Sequence, residues 1–271
     1  MAGALLEVEH LRVDFPVTAA YTIHALADIS FTAKPGEIIG LVGESGCGKS
    51  TLARTIMGLY QPCQGTIRFG GTVISSAERL IHRSDAVKRD IQMIFQDADG
   101  ALNPYMTVEQ LITEALVLGR RCRHQRDIDS TISALLAQVG LEEWHRQELP
   151  GELSGGQRQR IGIARCLGME PGLIIADEPI AALDVSIQAQ ILNLLQQLQR
   201  ERHFTMLFIA HDLAVIRHIC DRVFVMYEGR IVEAGPVERV FTQPQHTYTK
   251  KLLQSILYPD PVYERSKRNI R

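Results

Sequence analysis

No stretch of the 271-residue chain approaches the ~20 consecutive apolar residues that a membrane-spanning helix needs. Its first residues also lack the charged, apolar and small-residue order of a secretory leader, so the chain is expected to stay soluble. Excess positive charge is missing too. At a formal net charge of −2 there is no broad basic field, and nucleic acid is not the default partner. The five cysteines (Cys47, Cys63, Cys122, Cys166, Cys220) are odd in number and have no C-x-x-C spacing, which reads as reduced thiols of the cytosol. There is no internal repeat and no low-complexity segment. What is present is an ordinary hydrophobic fraction of 45%, enough for one large core or two modest ones.

The most informative stretch is Gly43-Glu44-Ser45-Gly46-Cys47-Gly48-Lys49-Ser50-Thr51, which fits G-x-x-x-x-G-K-[ST]. It follows a short apolar run, Ile38 to Val42, and opens a helical pattern that stops at Gly58. Glycines at 43, 46 and 48 let the backbone curl so that N–H groups point inward, and the helix N-terminus adds partial positive charge. A polyphosphate anion suits this cradle. Lys49 would reach its outer phosphates and the Ser50 hydroxyl would ligate Mg²⁺.

Along the chain, residues 5–33 read as strands forming a small antiparallel layer: Leu5 to Glu9, Leu11 to Phe15, then Ile29 and Phe31 before the turn Pro35-Gly36. Strands are also expected at Gly65 to Phe69 and Ile91 to Phe95, with a weaker candidate at Val73-Ile74. From Ala98 to about Gly151 the texture becomes helical. Thr107-Val108-Glu109-Gln110 is a capping box, and Ile128, Ile132, Leu135, Leu136 and Val139 form one apolar stripe ended by Gly140. The basic run from Arg120 to Arg126 reads as a solvated connection. Beyond it come a helix from Arg158 closing at Gly168, a buried strand at Leu173 to Ala176, a helix from Val185 to Arg202, a strand at Met206 to Ala210, and a hairpin turning at Glu228-Gly229. Alternating strands and helices imply a mainly parallel sheet covered on both faces.

Open α/β sheets bind ligands beyond the carboxyl ends of their strands. Four predicted strand ends carry suitable chemistry: Val42 leads into the phosphate loop, Phe95 into Gln96, Ala176 into Asp177-Glu178, and Ala210 into His211. Asp177 suits Mg²⁺ held through a water, and Glu178 suits the polarisation of an attacking water. Leu153-Ser154-Gly155-Gly156-Gln157 is a second anion-shaped element, a serine N-cap followed by glycines. Two phosphate-facing surfaces in one chain are reconciled by a head-to-tail dimer in which each chain's Ser154, Gly155, Gly156 and Gln157 close over the other's nucleotide.

These residues together resemble the nucleotide-binding subunits of ATP-binding-cassette transporters. The loop from Gly43 to Thr51 is similar to Walker A, Leu173 to Glu178 to Walker B, Leu153 to Gln157 to the signature motif, Gln96 to the Q-loop, Ala182-Leu183-Asp184 to the D-loop, and His211 to the switch histidine. The resemblance implies a P-loop NTPase (RecA-like) α/β core with an N-terminal antiparallel β layer and a helical insertion. On this division 1–97 holds the β layer and first core segment, 98–164 the insertion, 165–242 the second core segment and 243–271 a C-terminal extension. It further implies ATP and Mg²⁺ bound between two ATPase subunits, with Gln96 joining Ser50 and Asp177 at the metal, and Gln96 and His211 joining Glu178 in hydrolysis. The aromatic that stacks on adenine falls on Phe15, with Tyr21 the competing position.

Within the family, Gln96-Asp97, Leu102-Asn103-Pro104, Ala176-Asp177-Glu178-Pro179 and His246-Thr247-Tyr248-Thr249-Lys250-Lys251-Leu252-Leu253 resemble the importers of peptides, nickel and opines. That implies a peripheral subunit on the cytoplasmic face of the cell membrane, with a second ATPase subunit, two membrane subunits and, indirectly, an extracytoplasmic solute-binding protein. By resemblance, the membrane subunits engage a groove near Gln96 to Val108. Thr247 replaces the group's usual proline and Ile180-Ala181 its usual threonine and small polar residue. No cysteine follows Cys220, so the iron–sulfur centre of some members is not expected. The basic tail through Arg265, Lys267, Arg268 and Arg271 reads as a solvated end. Two rivals, an ATPase of DNA repair or translation and a regulatory subunit that hardly hydrolyses, are disfavoured by the lack of a coiled-coil insertion or second cassette and by intact Lys49, Ser154, Glu178 and His211.

Overall fold

A computed structural model describes residues 3–18, 21–120 and 124–254. Cys122, part of the Arg120 to Arg126 run and the tail from Arg265 to Arg271 lie outside them.

The strands are β1 (Leu6–Thr18), β2 (Tyr21–Ala33), β3 (Ile38–Val42), β4 (Gln64–Phe69), β5 (Thr72–Ser76), β6 (Ile91–Ile94), β7 (Leu173–Asp177), β8 (Thr205–Ile209), β9 (Arg222–Tyr227) and β10 (Arg230–Pro236). The α-helices are α1 (Lys49–Met57), α2 (Asp85–Asp90), α3 (Ala98–Ala101), α4 (Val108–Leu118), α5 (Gln125–Gln138), α6 (Gly155–Gly168), α7 (Val185–Arg202), α8 (Leu213–Ile219), α9 (Val237–Thr242) and α10 (Thr247–Gln254). The strands run in the order β5-β4-β1-β2-β10-β9-β3-β8-β7-β6. β1, β2, β4 and β5 pair antiparallel, whereas β9, β3, β8, β7 and β6 are parallel. One parallel pair, Arg230 on β10 with Asp28 on β2, joins the two parts.

Side-chain alternation in the central strands explains why both faces are covered, since neighbours along a strand point to opposite sides. Ile39 and Leu41, Leu173 and Ile175, Leu207 and Ile209, and Phe224 and Met226 pack with Leu52, Ala53 and Ile56 of α1 and with the antiparallel layer. Their alternates Ile38 and Val42, Ile174 and Ala176, Met206 and Phe208, and Val223 and Val225 face a second core built with the helical insertion, α7, α8 and α9. The loop before α1 is thus fixed between two packed layers.

One local expectation needs correction and two hold. The first strands are two long partners of 13 residues each, interrupted by bulges, because His10 turns to φ +48° and shifts the register between Val8 and Leu11. The helix that opens at Ser154 closes at Gly168 as expected, with Met169 as its C-cap. The strand at Val73-Ile74 is a full edge strand, β5.

The insertion is tied together by charge as well as by its apolar stripe. Thr107 and Gln110 form the expected capping box. Arg146 reaches Glu109 (2.9 Å), Asp129 (3.3 Å) and Glu143 (2.7 Å) from three parts of the subdomain. Helix α6 crosses residue 164 unbroken, so the insertion's last helix runs on into the core.

Candidate functional site

The phosphate loop leaves β3 as Val42 passes into Gly43, and the backbone there is open only to glycine. Gly43 has φ +156° and a Cβ would lie 2.2 Å from the Met226 carbonyl oxygen; Gly48 has φ +107° and a Cβ would lie 2.4 Å from the Ala25 carbonyl oxygen. Gly48 caps α1 in the left-handed region and no described side chain bonds its first turn, so those N–H groups are free to meet an anion. The Lys49 ammonium is buried and donates to the carbonyl oxygens of Gly43 (2.7 Å) and Glu44 (3.0 Å). At the far end of α1, Arg83 donates to the Ile56 (2.5 Å) and Thr55 (3.4 Å) carbonyls, holding the helix C-terminus with positive charge.

Because β3, β8, β7 and β6 are adjacent and parallel, their carboxyl ends lie on one edge. Asp177 ends β7 and is buried, and its Oδ1 accepts from Ser50 Oγ at 3.3 Å. Burial lifts the Asp177 carboxyl above the ordinary carboxylate range; the Ser50 hydrogen bond opposes this and the Glu178 charge adds to it. Glu178 sits at φ +48°, a left-handed conformation that costs a non-glycine residue about 1–2 kcal/mol, with its N–H on the Ile209 carbonyl (3.0 Å). His211, just past β8, places Nδ1 3.9 Å from Glu178 Oε2, beyond hydrogen-bond reach. Gln96 is exposed beyond β6.

An open cleft of about 590 Å³ runs from the loop toward β1 and β2. Phe15, Ser45, Gly46, Gly48, Lys49, Ser50, Thr51, Gln96 and Glu178 all line it. Gly43, Cys47, Asp177 and His211 do not line it. Phe15 stands against Tyr60 edge-on, with ring centres 5.1 Å apart. Tyr21 is exposed and outside the lining, so of the two aromatics it is Phe15 that faces the cleft. His24, Ala25, Glu228 and Gly229 also line it and were not singled out from sequence. The only signal for them was the hairpin dipeptide Glu228-Gly229.

Ser154 caps α6 as expected: its Oγ accepts from Gln157 N–H (3.3 Å) and its N–H donates to Gln157 Oε1 (2.7 Å). Gln157 Nε2 lies 3.0 Å from Nε2 of the buried His145, against which the exposed Trp144 ring is stacked. Ser154, Gly155, Gly156 and Gln157 do not line the cleft that holds Lys49. Gly156 faces α7, where a Cβ would strike Ile187 at 2.7 Å.

A glycine-rich loop between a central parallel strand and a helix, with an acid pair on a nearby strand end, defines a P-loop nucleotide-binding protein. The family model described as ABC transporter matches residues 26–181, more than half of the chain, and the chain belongs to that family. A second model, described as oligopeptide/dipeptide transporter, C-terminal region, matches residues 232–271. The oligopeptide transport ATP-binding protein OppF of Bacillus subtilis is 47% identical over 270 residues, covering 98% of this chain and 87% of that one. Among solved structures, cbiO1 from Clostridium perfringens, part of the ABC transporter complex cbiONQ, has a TM-score of 0.79 at 29% identity, covering 98% and 99% of the two chains. The dimeric post-hydrolysis state of the ATP-binding cassette MJ0796 bound to ADP and Pi has a TM-score of 0.75 at 27% identity, covering 86% of this chain and 98% of that one.

Proposed function

We propose that this chain is the ATP-hydrolysing subunit of an ABC importer for peptides. The observation that carries the reading is the meeting of the phosphate loop, Gln96, Glu178 and His211 at the ends of four adjacent parallel strands. The match to the oligopeptide/dipeptide C-terminal region and the 47% identity to an oligopeptide transport ATP-binding protein favour peptides as cargo.

Each residue has a task. Gly43, Ser45, Gly46, Cys47, Gly48, Ser50 and Thr51 shape a ring of donors around the β- and γ-phosphates, and Lys49 neutralises charge there. Phe15 offers its ring to the adenine at the open end of the cleft. Glu178 accepts a proton from the attacking water, which typically contributes 10²–10⁴-fold, and His211 beside it holds the outgoing γ-phosphate in line. The Ser50 hydroxyl beside a buried carboxylate is a donor set that fits Mg²⁺, a hard cation, and Gln96 supplies a further oxygen at the cleft. When bound, that ion spreads the phosphate charge. Asp177, whose own charge is costly where it lies, gains a counter-ion.

Since Ser154, Gly155, Gly156 and Gln157 lie outside the cleft of their own chain, they serve the nucleotide of a second ATPase subunit in a head-to-tail pair, and the dimeric cassette neighbours favour this arrangement. Two membrane permease subunits and an extracytoplasmic solute-binding protein complete the importer, with this chain peripheral on the cytoplasmic face. In the described residues no helix is long and apolar enough to cross a membrane, so the crossing falls to those partners. We place the units at 1–97, 98–164, 165–242 and 243–271, as the motifs divide them.

The test is peptide uptake and ATP turnover by the importer in proteoliposomes. ATP-dependent accumulation of a labelled tripeptide, lost with Lys49→Ala, is the expected result. Turnover that ignores Lys49→Ala, or that never responds to peptide, would overturn it.

A further inference from the structure

The phosphate loop is anchored from the far end of the chain. On one side Gly229 N–H, in the β9–β10 turn, donates to the Cys47 carbonyl at 3.0 Å. On the other, the Tyr248 hydroxyl accepts from Glu44 N–H at 2.9 Å across 204 residues of sequence. Tyr248 is buried on α10, with its ring tilted over Tyr227 at a centre distance of 4.4 Å. α10 itself is held by Glu233 of β10, whose carboxylate accepts from Gln245 N–H (2.8 Å) and His246 N–H (3.0 Å).

The Glu44 N–H and the Gly43 carbonyl belong to one planar trans peptide, so they point in opposite directions. Tyr248 fixes the N–H end. The carbonyl end is thereby aimed at Lys49 Nζ, 2.7 Å away. We infer that Tyr248 is a positioning residue for the nucleotide phosphates: its hydroxyl sets the plane of the Gly43–Glu44 peptide and, through it, the place of the Lys49 ammonium. The C-terminal extension is then part of the phosphate site, and anything that lifts α10 away loosens the grip on nucleotide. The inference rests on the ATPase reading above and adds to it a residue outside the loop.

Tyr248→Phe keeps the ring and removes the one acceptor. Losing one neutral hydrogen bond that preorganises the loop should raise the ATP dissociation constant and KM about fivefold, or about 1 kcal/mol at 1.4 kcal/mol per tenfold, with kcat within twofold. By NMR the Glu44 amide should exchange faster, and the melting temperature should fall by no more than about 2–4 °C, the scale of one lost hydrogen bond. Glu233→Ala, which frees the start of α10, should move ATP affinity the same way. Parental ATP affinity with unchanged Glu44 exchange in Tyr248→Phe would overturn the inference, as would a fall in kcat together with a melting temperature lower by more than that, which would make Tyr248 a general packing residue. Lys49→Ala separates the two claims. If it binds ATP as the parent does, the ATPase reading fails; if it loses ATP while Tyr248→Phe does not, only the role of Tyr248 fails.

Discussion

Ser50 Oγ and Asp177 Oδ1 lie 3.3 Å apart although 127 residues separate them in sequence. One belongs to the first turn of α1 and the other ends β7, so the contact exists only because β8 brings β3 and β7 to the same edge of the sheet. It joins the helix that follows the glycine-rich loop to a buried carboxylate at the end of a neighbouring strand.

Asp177→Asn is predicted to stabilise the fold at neutral pH while stopping hydrolysis. Burial raises the Asp177 pKa above its ordinary value of 3.8, so the folded protein holds this proton more tightly than the unfolded chain. The contribution is fully present below 3.8 and is lost as pH rises through the raised value, which leaves an ionised carboxylate that costs stability above it. Melting temperatures of the two proteins should therefore differ in favour of the variant at pH 7, with the advantage shrinking toward pH 3. A variant that melts below the parent at pH 7 contradicts this.

Glu178→Gln should bind ATP as the parent does and hydrolyse it on the order of 10²–10⁴ times more slowly, since only the proton acceptor is removed. Single-turnover hydrolysis and equilibrium binding, measured on the same sample, check both halves. Equal turnover in the two proteins would favour a chain that binds nucleotide without using it.

Gly48→Ala should abolish nucleotide binding. Its φ of +107° costs an L-residue roughly 1–2 kcal/mol, and the new methyl would meet a backbone oxygen that has no rotamer to move into. Gly46→Ala is the comparison, because space is open around that position although its φ is also positive. Titration with ATP should rank the parent first, Gly46→Ala second and Gly48→Ala last.

Arg83→Ala should cost about 1.5–3 kcal/mol of folding stability, the range for hydrogen bonds made by a charged group. Burial pulls the Arg83 guanidinium down to about 10, still charged at neutral pH, and it covers the carbonyls at the end of α1. Denaturant midpoints measure the loss. A change under about 0.5 kcal/mol would mean that water replaces the guanidinium there.

Much of the parallel core was legible because its signals are local. The loop glycines, the apolar runs of β3, β7 and β8 and the Ser154 cap each declare themselves within ten residues. The bulged course of β1 was not, because His10 breaks the alternation that reveals a strand. Gly168 carried the signature of a stop, and α6 does end there. The lining by His24, Ala25 and Glu228 and the bond from Glu44 to Tyr248 depend on which strands and helices come together across the fold. No local periodicity records them.

The central claim is that a triphosphate held by the phosphate loop of one ATPase subunit is closed over by Ser154 of the other. Disulfide trapping tests it most directly: Ser154→Cys in one copy, Ser45→Cys in a second, with the native cysteines replaced and Glu178→Gln present to preserve ATP. The account predicts a covalent dimer that forms with ATP and not with ADP, whether the second copy is this chain or the importer's other ATPase with its matching loop serine changed. Absence of the covalent dimer in every nucleotide state and with both partners would contradict it.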